Sequence, residues 1–261
     1  KYMNIIKNII RYPIKGLSGE NLSKIVLEEN QVMPGDREFA FARFNTKYDQ
    51  KNPIYLKKTN FLALVKDEKL AKLLTVFNPK SKQLIIKIDN SVVVDEILNN
   101  KKNINKVEVF FQEYLEMSKE EKPNLVRGIK TNATNLLHSF SDIPDKALSI
   151  INLNTIMELQ EKLGKQIAPS RFRANILIDG VNAWEEFNWI GKKITIGEAV
   201  LKVFKRTQRC AATNVNPDNA QRDINIPYEI NSHYGHLDLG IYAKVTQGGL
   251  ISVLDKLNIS K

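Results

Sequence analysis

Short apolar runs separated by turn signals constrain the fold of this chain more than any other feature. The apolar segments at 73–77 and 84–88 flank Asn-Pro-Lys-Ser, a composition typical of a hairpin turn. Phe39 and Phe41 alternate with small residues, which is the period-two pattern of a strand with one buried face. We therefore predict a mostly β protein with a few short helices, folded as a barrel or a sandwich.

The second half of the chain has the same pattern. Residues 193–196 and 199–204 flank Gly197-Glu198, and a glycine at the first central position is typical of a type II′ hairpin turn. Further strands are predicted for the apolar segments at 5–12, 25–27, 92–94, 147–151, 175–178 and 240–246.

Two short helices interrupt the predicted strands. Asn154 is a plausible N-cap residue. Behind it Ile156, Leu159 and Leu163 recur at spacings of three and four, which places them on one helix face, and Gly164 is expected to end the helix. A second short helix is predicted for residues 227–234.

A polar stretch at 114–123 is the best candidate for a domain boundary, and a polar loop from Gly128 to His138 follows it. A chain of 261 residues is long enough for two modest domains. We therefore predict one domain at 1–122 and a second at 123–261.

The chain contains a single cysteine, which excludes a disulfide within the chain and favours a reducing, cytoplasmic setting. The same count excludes a self-contained iron–sulfur cluster and a zinc site built on cysteines. Charged residues interrupt the apolar segments, so neither a secretory signal nor a membrane span is expected.

The formal net charge of +10 has two interpretations. It could reflect an anionic partner, such as nucleic acid, a membrane surface or a phosphorylated ligand. The alternative is a lysine-rich composition with solvated side chains throughout, which the scattered positions of the lysines favour. Nucleic acid is not the expected partner, because the interleaved aromatic and basic residues of a stacking surface are missing.

Several segments, in this order, resemble one known family. RYPIKG at 11–16 and PGDR at 34–37 resemble segments of the MOSC N-terminal β-barrel domain. RFRANI at 171–176, the hairpin at 191–201 and RCAAT at 209–213 resemble segments of the MOSC domain proper. The sequence departs from the usual family pattern at Gly16, Ala174, Gln208 and Asn216.

The resemblance implies a β-barrel MOSC domain, with a smaller β-rich N-terminal domain, that binds a molybdenum cofactor as Mo-molybdopterin or a dinucleotide form. The family includes molybdenum cofactor sulfurases, stand-alone bacterial proteins and the mitochondrial amidoxime-reducing component. Its reducing members imply reduction of small N-hydroxylated compounds, with electrons from a separate reductase or ferredoxin-like protein. The family is also associated with pyridoxal phosphate, although no lysine here is marked as a Schiff-base residue.

In this resemblance Cys210 is the sulfur ligand of molybdenum and the catalytic residue. A thiolate is a natural soft ligand, and positive charge on the neighbouring Arg209 and on Arg206 would stabilise it. For Cys210 considered alone, the ordinary interpretation is a small buried apolar side chain.

The resemblance also assigns residues that contact the cofactor. Lys15, Arg37 and Arg173 stand at the family's basic positions, and arginine suits phosphate because its guanidinium is a bidentate donor. These residues come from both predicted domains, which suggests a cofactor held between them. The other predicted contacts are Gly16, Asn152, Asn154, Thr155, Asn175, Gln208 and Arg209. For the polar residues at the helix start, simple helix capping is an equal alternative.

The main hypothesis is thus a molybdenum-dependent oxidoreductase. The alternative is a non-catalytic carrier that holds the cofactor, or sulfur, on Cys210. His233 and His236 are spaced to share a helix face, but a structural role is favoured for both.

Overall fold

The structure is a computed structural model that describes residues 4–130 and 137–260, so the middle of the predicted loop from Gly128 to His138 lies outside the described residues. The first strands are β1 (Ile5–Arg11), β2 (Glu20–Leu22), β3 (Lys24–Leu27), β4 (Phe39–Ala42), β5 (Leu74–Asn78), β6 (Gln83–Ile88) and β7 (Ser91–Ile97). The later strands are β8 (Asn124–Arg127), β9 (Leu148–Asn152), β10 (Ile176–Asp179), β11 (Lys193–Ile196), β12 (Ala199–Gln208), β13 (Asp238–Gln247), β14 (Gly249–Ser252) and β15 (Leu257–Ile259). The α-helices are α1 (Lys101–Tyr114), α2 (Leu153–Leu163) and α3 (Ile226–Tyr234). The predicted mostly β fold with a few short helices is confirmed.

The largest sheet has eight strands in the order β15-β11-β12-β13-β9-β10-β1-β2, and it is strongly curled. Its two ends approach each other, because the chain just before β15 meets β1. Leu254 N–H donates to the Ile6 carbonyl at 2.8 Å, and Ile6 N–H donates to the Asp255 carbonyl at 3.0 Å. These backbone bonds give the sheet its barrel-like shape and protect strand edges that would otherwise be open.

The inner face of the curled sheet is apolar. Residues that alternate along its strands are fully buried there, among them Ile150, Ile178, Leu201, Ile241 and Val245. Each such side chain contributes about 1.5–3 kcal/mol on burial. Gly197 has φ +52° in the turn between β11 and β12, as the predicted hairpin requires.

A second core fills the first half of the chain. The antiparallel sheet β5-β6-β7 packs on α1. The sequence interpretation did not predict this helix. Helix α1 begins after the N-cap Asn100, whose side chain accepts from Asn103 N–H, and it buries Val107 and Phe111. Strand β4 is buried on both faces rather than on one, because the phenylalanine side packs on this core and the alanine side packs on Phe61 and Phe140.

The helix predicted behind Asn154 is present as α2, but its N-cap is Asn152. The Asn152 side chain accepts from Asn154 N–H at 3.1 Å, so the helix begins two residues earlier than expected. Gly164 ends the helix in the left-handed conformation, as predicted.

Strands of each predicted domain pair with strands of the other domain. Strand β1 pairs with β10 in the curled sheet, and β8 pairs with β4 in the first half. The division at 122/123 therefore stays a prediction. This interlocking brings the loops of both halves together at one end of the curled sheet, where the cavity described next is found.

Candidate functional site

A cavity of about 540 Å³ lies where the two halves meet, within the size range of ligand-binding pockets. Basic residues outnumber carboxylates along its walls. The basic lining residues are Lys15, Arg37, Lys58, Arg171, Arg173, Lys205, Arg206 and Arg209, and the acidic ones are Asp36, Asp142 and Asp238. A cavity with this charge favours an anionic ligand.

One wall of the cavity is built on the buried ring of Tyr12. The guanidinium carbons of Arg173 and Arg37 lie over this ring, at 4.4 and 4.9 Å from its centroid. Arg37 also donates to the Arg173 carbonyl at 2.9 Å and pairs with Asp36, and the Asp36 carboxylate accepts from Tyr12 N–H. We call Tyr12, Arg37 and Arg173 the tyrosine wall.

Of the two arginines in the tyrosine wall, Arg173 has fewer of its hydrogen-bond donors paired. Its Nη2 atom is buried and has no hydrogen-bond partner, and no carboxylate pairs with it among the described residues. Burial lowers the pKa of Arg173 to about 10, so the group is still charged at neutral pH. A buried guanidinium with a free donor is costly unless an anion binds it.

Lys15 lies beside the tyrosine wall and is 4% exposed. Its ammonium donates to the Phe140 carbonyl at 2.9 Å and pairs with Asp142 at the cavity mouth. Burial lowers the pKa of Lys15, and Asp142 opposes that shift. For Asp142 itself, burial would raise the pKa, but the charges of Lys15, Lys58 and Arg37 hold it well below its usual range.

Cys210 lies two residues beyond the end of β12 and lines the same cavity. Its Sγ atom lies 2.9 Å from Nζ of Lys58, which belongs to the first half of the chain. Burial would lower the pKa of Lys58, but Asp142 and the contact with Cys210 raise it overall. An ammonium donor at this distance stabilises negative charge on the sulfur.

The turn after Cys210 is anchored at both ends by arginines. Arg222 donates to the Ala211 carbonyl at 2.8 Å and to the Leu64 carbonyl at 3.0 Å, which ties the turn to the first half. Arg171 donates to the Asn214 carbonyl at 3.0 Å and makes a bidentate pair with Asp223 at 2.7 and 2.8 Å. This anchoring fixes the backbone from which the thiol projects.

Arg209 is oriented differently from the arginines of the tyrosine wall. Its Nε donates to the Leu239 carbonyl at 2.7 Å and its Nη1 donates to the Phe172 carbonyl at 3.2 Å. Burial lowers the pKa of Arg209 to about 10. These donors bind backbone oxygens, so Arg209 contributes charge near Cys210 but braces the backbone rather than facing a ligand.

Both close packing and backbone conformation require a glycine at position 16. It has φ +83°, and a Cβ atom there would lie 2.7 Å from the Leu62 carbonyl oxygen. A glycine therefore allows the loop behind Lys15 to pack closely against the chain at 62–63.

The structure brings most of the predicted site residues into this one cavity. Those that line it are Lys15, Gly16, Arg37, Arg173, Asn175, Gln208, Arg209 and Cys210. Asn175 uses its side chain to hold the backbone of Ser149 and Ile10, and Gln208 lies exposed at the end of β12.

The predicted cofactor contacts Asn152, Asn154 and Thr155 do not line this cavity. Asn152 and Thr155 donate to the buried carboxylate of Glu186 at 2.9 and 2.8 Å. Asn154 donates to the Val181 carbonyl at 2.6 Å. Their polar atoms stabilise the start of α2 and its neighbouring loop, as in the capping alternative.

Sequence interpretation missed Lys58 and Asp142, which line the cavity, and Tyr12, whose ring supports Arg37 and Arg173. Tyr12 stands inside the motif that identified Lys15, so its position was the available signal. Lys58 reaches Cys210 from 152 positions away in the sequence, and no local pattern marks it. His233 is 3.9 Å from Glu229, and within 4–130 and 137–260 no group of three or more His, Cys, Asp and Glu could hold a metal.

The barrel-like sheet thus carries a basic cavity with one thiol between two interlocked halves, a combination of charge and soft donor that suits an anionic ligand beside a metal ion. Residues 136–258 match the MOSC domain family. This segment, a little under half of the chain, is similar to a MOSC domain.

Curated relatives are similar to parts of this chain. The chain is 31% identical over 119 residues to mitochondrial amidoxime reducing component 2 of Bos taurus, covering 41% of this chain and 33% of that protein. It is 28% identical over 113 residues to a molybdenum cofactor sulfurase of Drosophila persimilis, covering 43% of this chain and 14% of that protein. The matched segments thus span a third or less of these relatives.

Among solved structures, the YuaD protein of Bacillus subtilis aligns over 99% of this chain and 97% of its own, with a TM-score of 0.42 and 12% identity. In the described part of this chain, no helix has the length and apolar character that crossing a membrane would require.

Proposed function

We propose that this protein binds a molybdenum cofactor in the cavity between its halves and uses it to reduce small N-hydroxylated compounds. The observation that carries the proposal is the meeting of Cys210 with Lys15, Arg37 and Arg173 in one cavity. The similarity to amidoxime-reducing components and to a cofactor sulfurase supports a function related to this cofactor.

The residues of the cavity fit such a group at both of its ends. The buried Nη2 of Arg173 has no partner and would donate to a phosphate oxygen, next to Lys15 and Arg37. Cys210 would supply a soft thiolate ligand to the metal. When bound, the cofactor supplies the two-electron chemistry that no side chain here can provide.

The chain's own groups would bind and orient. The tyrosine wall would hold the phosphate end, and the turn anchored by Arg171 and Arg222 would aim the thiol into the cavity. Lys58 would hold the sulfur in place through its 2.9 Å contact.

The overall reaction consumes two electrons and two protons for each substrate. The N–O bond breaks, the nitrogen gains a proton, and the oxygen leaves as water. A separate redox protein is the proposed source of the electrons.

The test is reduction of benzamidoxime by protein made in a host that synthesises the cofactor, with dithionite-reduced methyl viologen as donor. The proposal expects stoichiometric formation of benzamidine by the wild type and none by Cys210→Ala. Loaded wild-type protein that forms no benzamidine would contradict reductase activity.

A carrier function is the second candidate, favoured by the match to a molybdenum cofactor sulfurase. It shares the cavity and Cys210 but needs no turnover. Loaded protein that donates its cofactor to an apo-enzyme, while reducing no substrate, would support this candidate.

A further inference from the structure

A row of lysines crosses the outer face of the curled sheet. The strand registers place Lys193 of β11 opposite Lys202 of β12, and Lys202 opposite Lys244 of β13. Neighbouring strands lie about 4.8 Å apart, so the three side chains fall within about 10 Å of one another. We call these three residues the lysine row.

The lysine row is unfavourable for the fold itself. Like charges that face each other directly across strands destabilise a sheet. Lys244 pairs with Asp145 at 2.7 Å, and Lys205 shares that carboxylate at 3.5 Å. Lys193 and Lys202 are exposed, and neither has an ion-pair partner among the described residues. Their charge is thus available to an external anion.

The lysine row leads into the mouth of the cavity. Lys202 precedes the lining residues Lys205 and Arg206 on the same strand, at about 10 Å along it. Cys210 follows the end of that strand. A macromolecule bound on the lysine row would therefore lie beside the cavity.

We propose that the lysine row is the docking surface for an acidic electron-transfer protein. This inference rests on the proposed function, because it identifies where the electrons enter. Complementary charge at such a surface accelerates association and orients the partner. In each catalytic cycle a one-electron donor would dock twice, and each docking oxidises one donor molecule by one electron.

The local chemistry favours an acidic protein over nucleic acid. The row is compact, whereas a nucleic-acid site tracks a phosphate backbone over a longer path. Lysines already lie over the nearby aromatic rings: Lys244 and Lys205 are 4.7 and 5.3 Å from the Phe204 centroid, and Lys205 is 5.5 Å from the Tyr242 centroid. A stacking base would have to compete with these lysines for the rings.

The test compares two charge-reversal variants that change the net charge equally. The first is Lys193→Glu with Lys202→Glu, and the matched control is Lys101→Glu with Lys102→Glu at the exposed start of α1. Turnover is measured with two donors: an acidic plant-type [2Fe–2S] ferredoxin, and methyl viologen, which needs no protein docking surface.

We expect the KM for ferredoxin to rise about tenfold in the first variant, with loss of most of its salt dependence. The control variant should change far less, and turnover with methyl viologen should be unaltered in both. An unchanged KM for ferredoxin in the first variant, or an equal rise in the control, would overturn the proposal.

Binding to cofactor-free protein separates this proposal from the proposed function. Oxidised ferredoxin titrated at low salt should bind the wild type and the control but not the first variant, even if no molybdenum is ever bound. Equal binding to all three proteins would overturn the docking surface. Binding of random duplex DNA that depends on Lys193 and Lys202 would assign the row to nucleic acid instead.

Discussion

Arg173 of the tyrosine wall and Arg209 beside Cys210 both line one cavity, yet the N–H donors of these two arginines have different destinations. Arg173 in the wall keeps a buried donor without a partner. Arg209 beside the thiol donates to the carbonyls of Leu239 and Phe172. From this difference we infer that the destination of the N–H donors, rather than proximity to the cavity, separates an arginine available to a ligand from one that supports the backbone.

The largest effect on folding is expected at Arg209. Replacing it with Met leaves the Leu239 and Phe172 carbonyls without their donor, which should lower the free energy of unfolding by about 3 kcal/mol. Arg206→Met is the control, because that exposed side chain packs over the Phe187 ring and should matter by less than about 1 kcal/mol. Urea unfolding of both variants measures this difference in the free energy of unfolding. Equal losses of stability in the two variants would contradict the structural role of Arg209.

The opposite result is expected at Arg173. Arg173→Met removes a buried charge with an unsatisfied donor, so stability should stay within about 1 kcal/mol of the wild type. Retention of molybdenum after gel filtration should instead fall at least tenfold, which corresponds to about 1.4 kcal/mol of binding free energy. A large loss of stability with normal retention would make Arg173 a structural residue.

His138 is a half-buried group whose neutral form is favoured in the folded state. Burial lowers the pKa of His138 to about 4, whereas the unfolded chain titrates near 6.5. Between these pH values the unfolded state binds more protons, so stability should fall by about 1–2 kcal/mol as the pH drops from 6.5 to 4. His138→Gln should flatten this part of the pH profile, and an unchanged slope would contradict the assignment.

The smallest effect on stability is expected at Arg222, which is partly exposed. Arg222→Met should cost less than about 1 kcal/mol but loosen the turn that it ties to the first half. Since Cys210 is the single cysteine of the chain, its rate of alkylation by iodoacetamide reports on this turn alone. We expect a several-fold change in that rate, with Arg222→Lys intermediate, and equal rates in all three proteins would rule out a positioning role.

Local patterns predicted the fold well where they were strong. The β5–β6 and β11–β12 hairpins follow from turn residues between apolar runs. Helix α1 was missed although Ile104, Val107 and Phe111 recur at helical spacing behind Asn100, because β-branched and polar residues lower the helical propensity of the segment.

Only the site residues that stand in recognisable sequence motifs could be predicted. Lys15, Arg37, Arg173 and Cys210 were placed by resemblance, and the structure brings all four to one cavity. The contact of Lys58 with Cys210 depends on tertiary folding, so no sequence spacing indicates it. The orientation of Arg209 could not be predicted either. Neighbouring residues on an extended chain project to opposite sides, so the motif position of Cys210 does not mean that Arg209 points the same way.

Molybdenum content tests the central claim most directly. Wild-type protein, Cys210→Ala and Lys102→Met, an exposed position at the start of α1, should be purified from a host with confirmed cofactor synthesis, and molybdenum should be measured per chain. The proposed site predicts near-stoichiometric metal in the wild type and in Lys102→Met, with a loss of at least tenfold in Cys210→Ala. Equal molybdenum in Cys210→Ala and the wild type, or none in any of the three proteins, would contradict it.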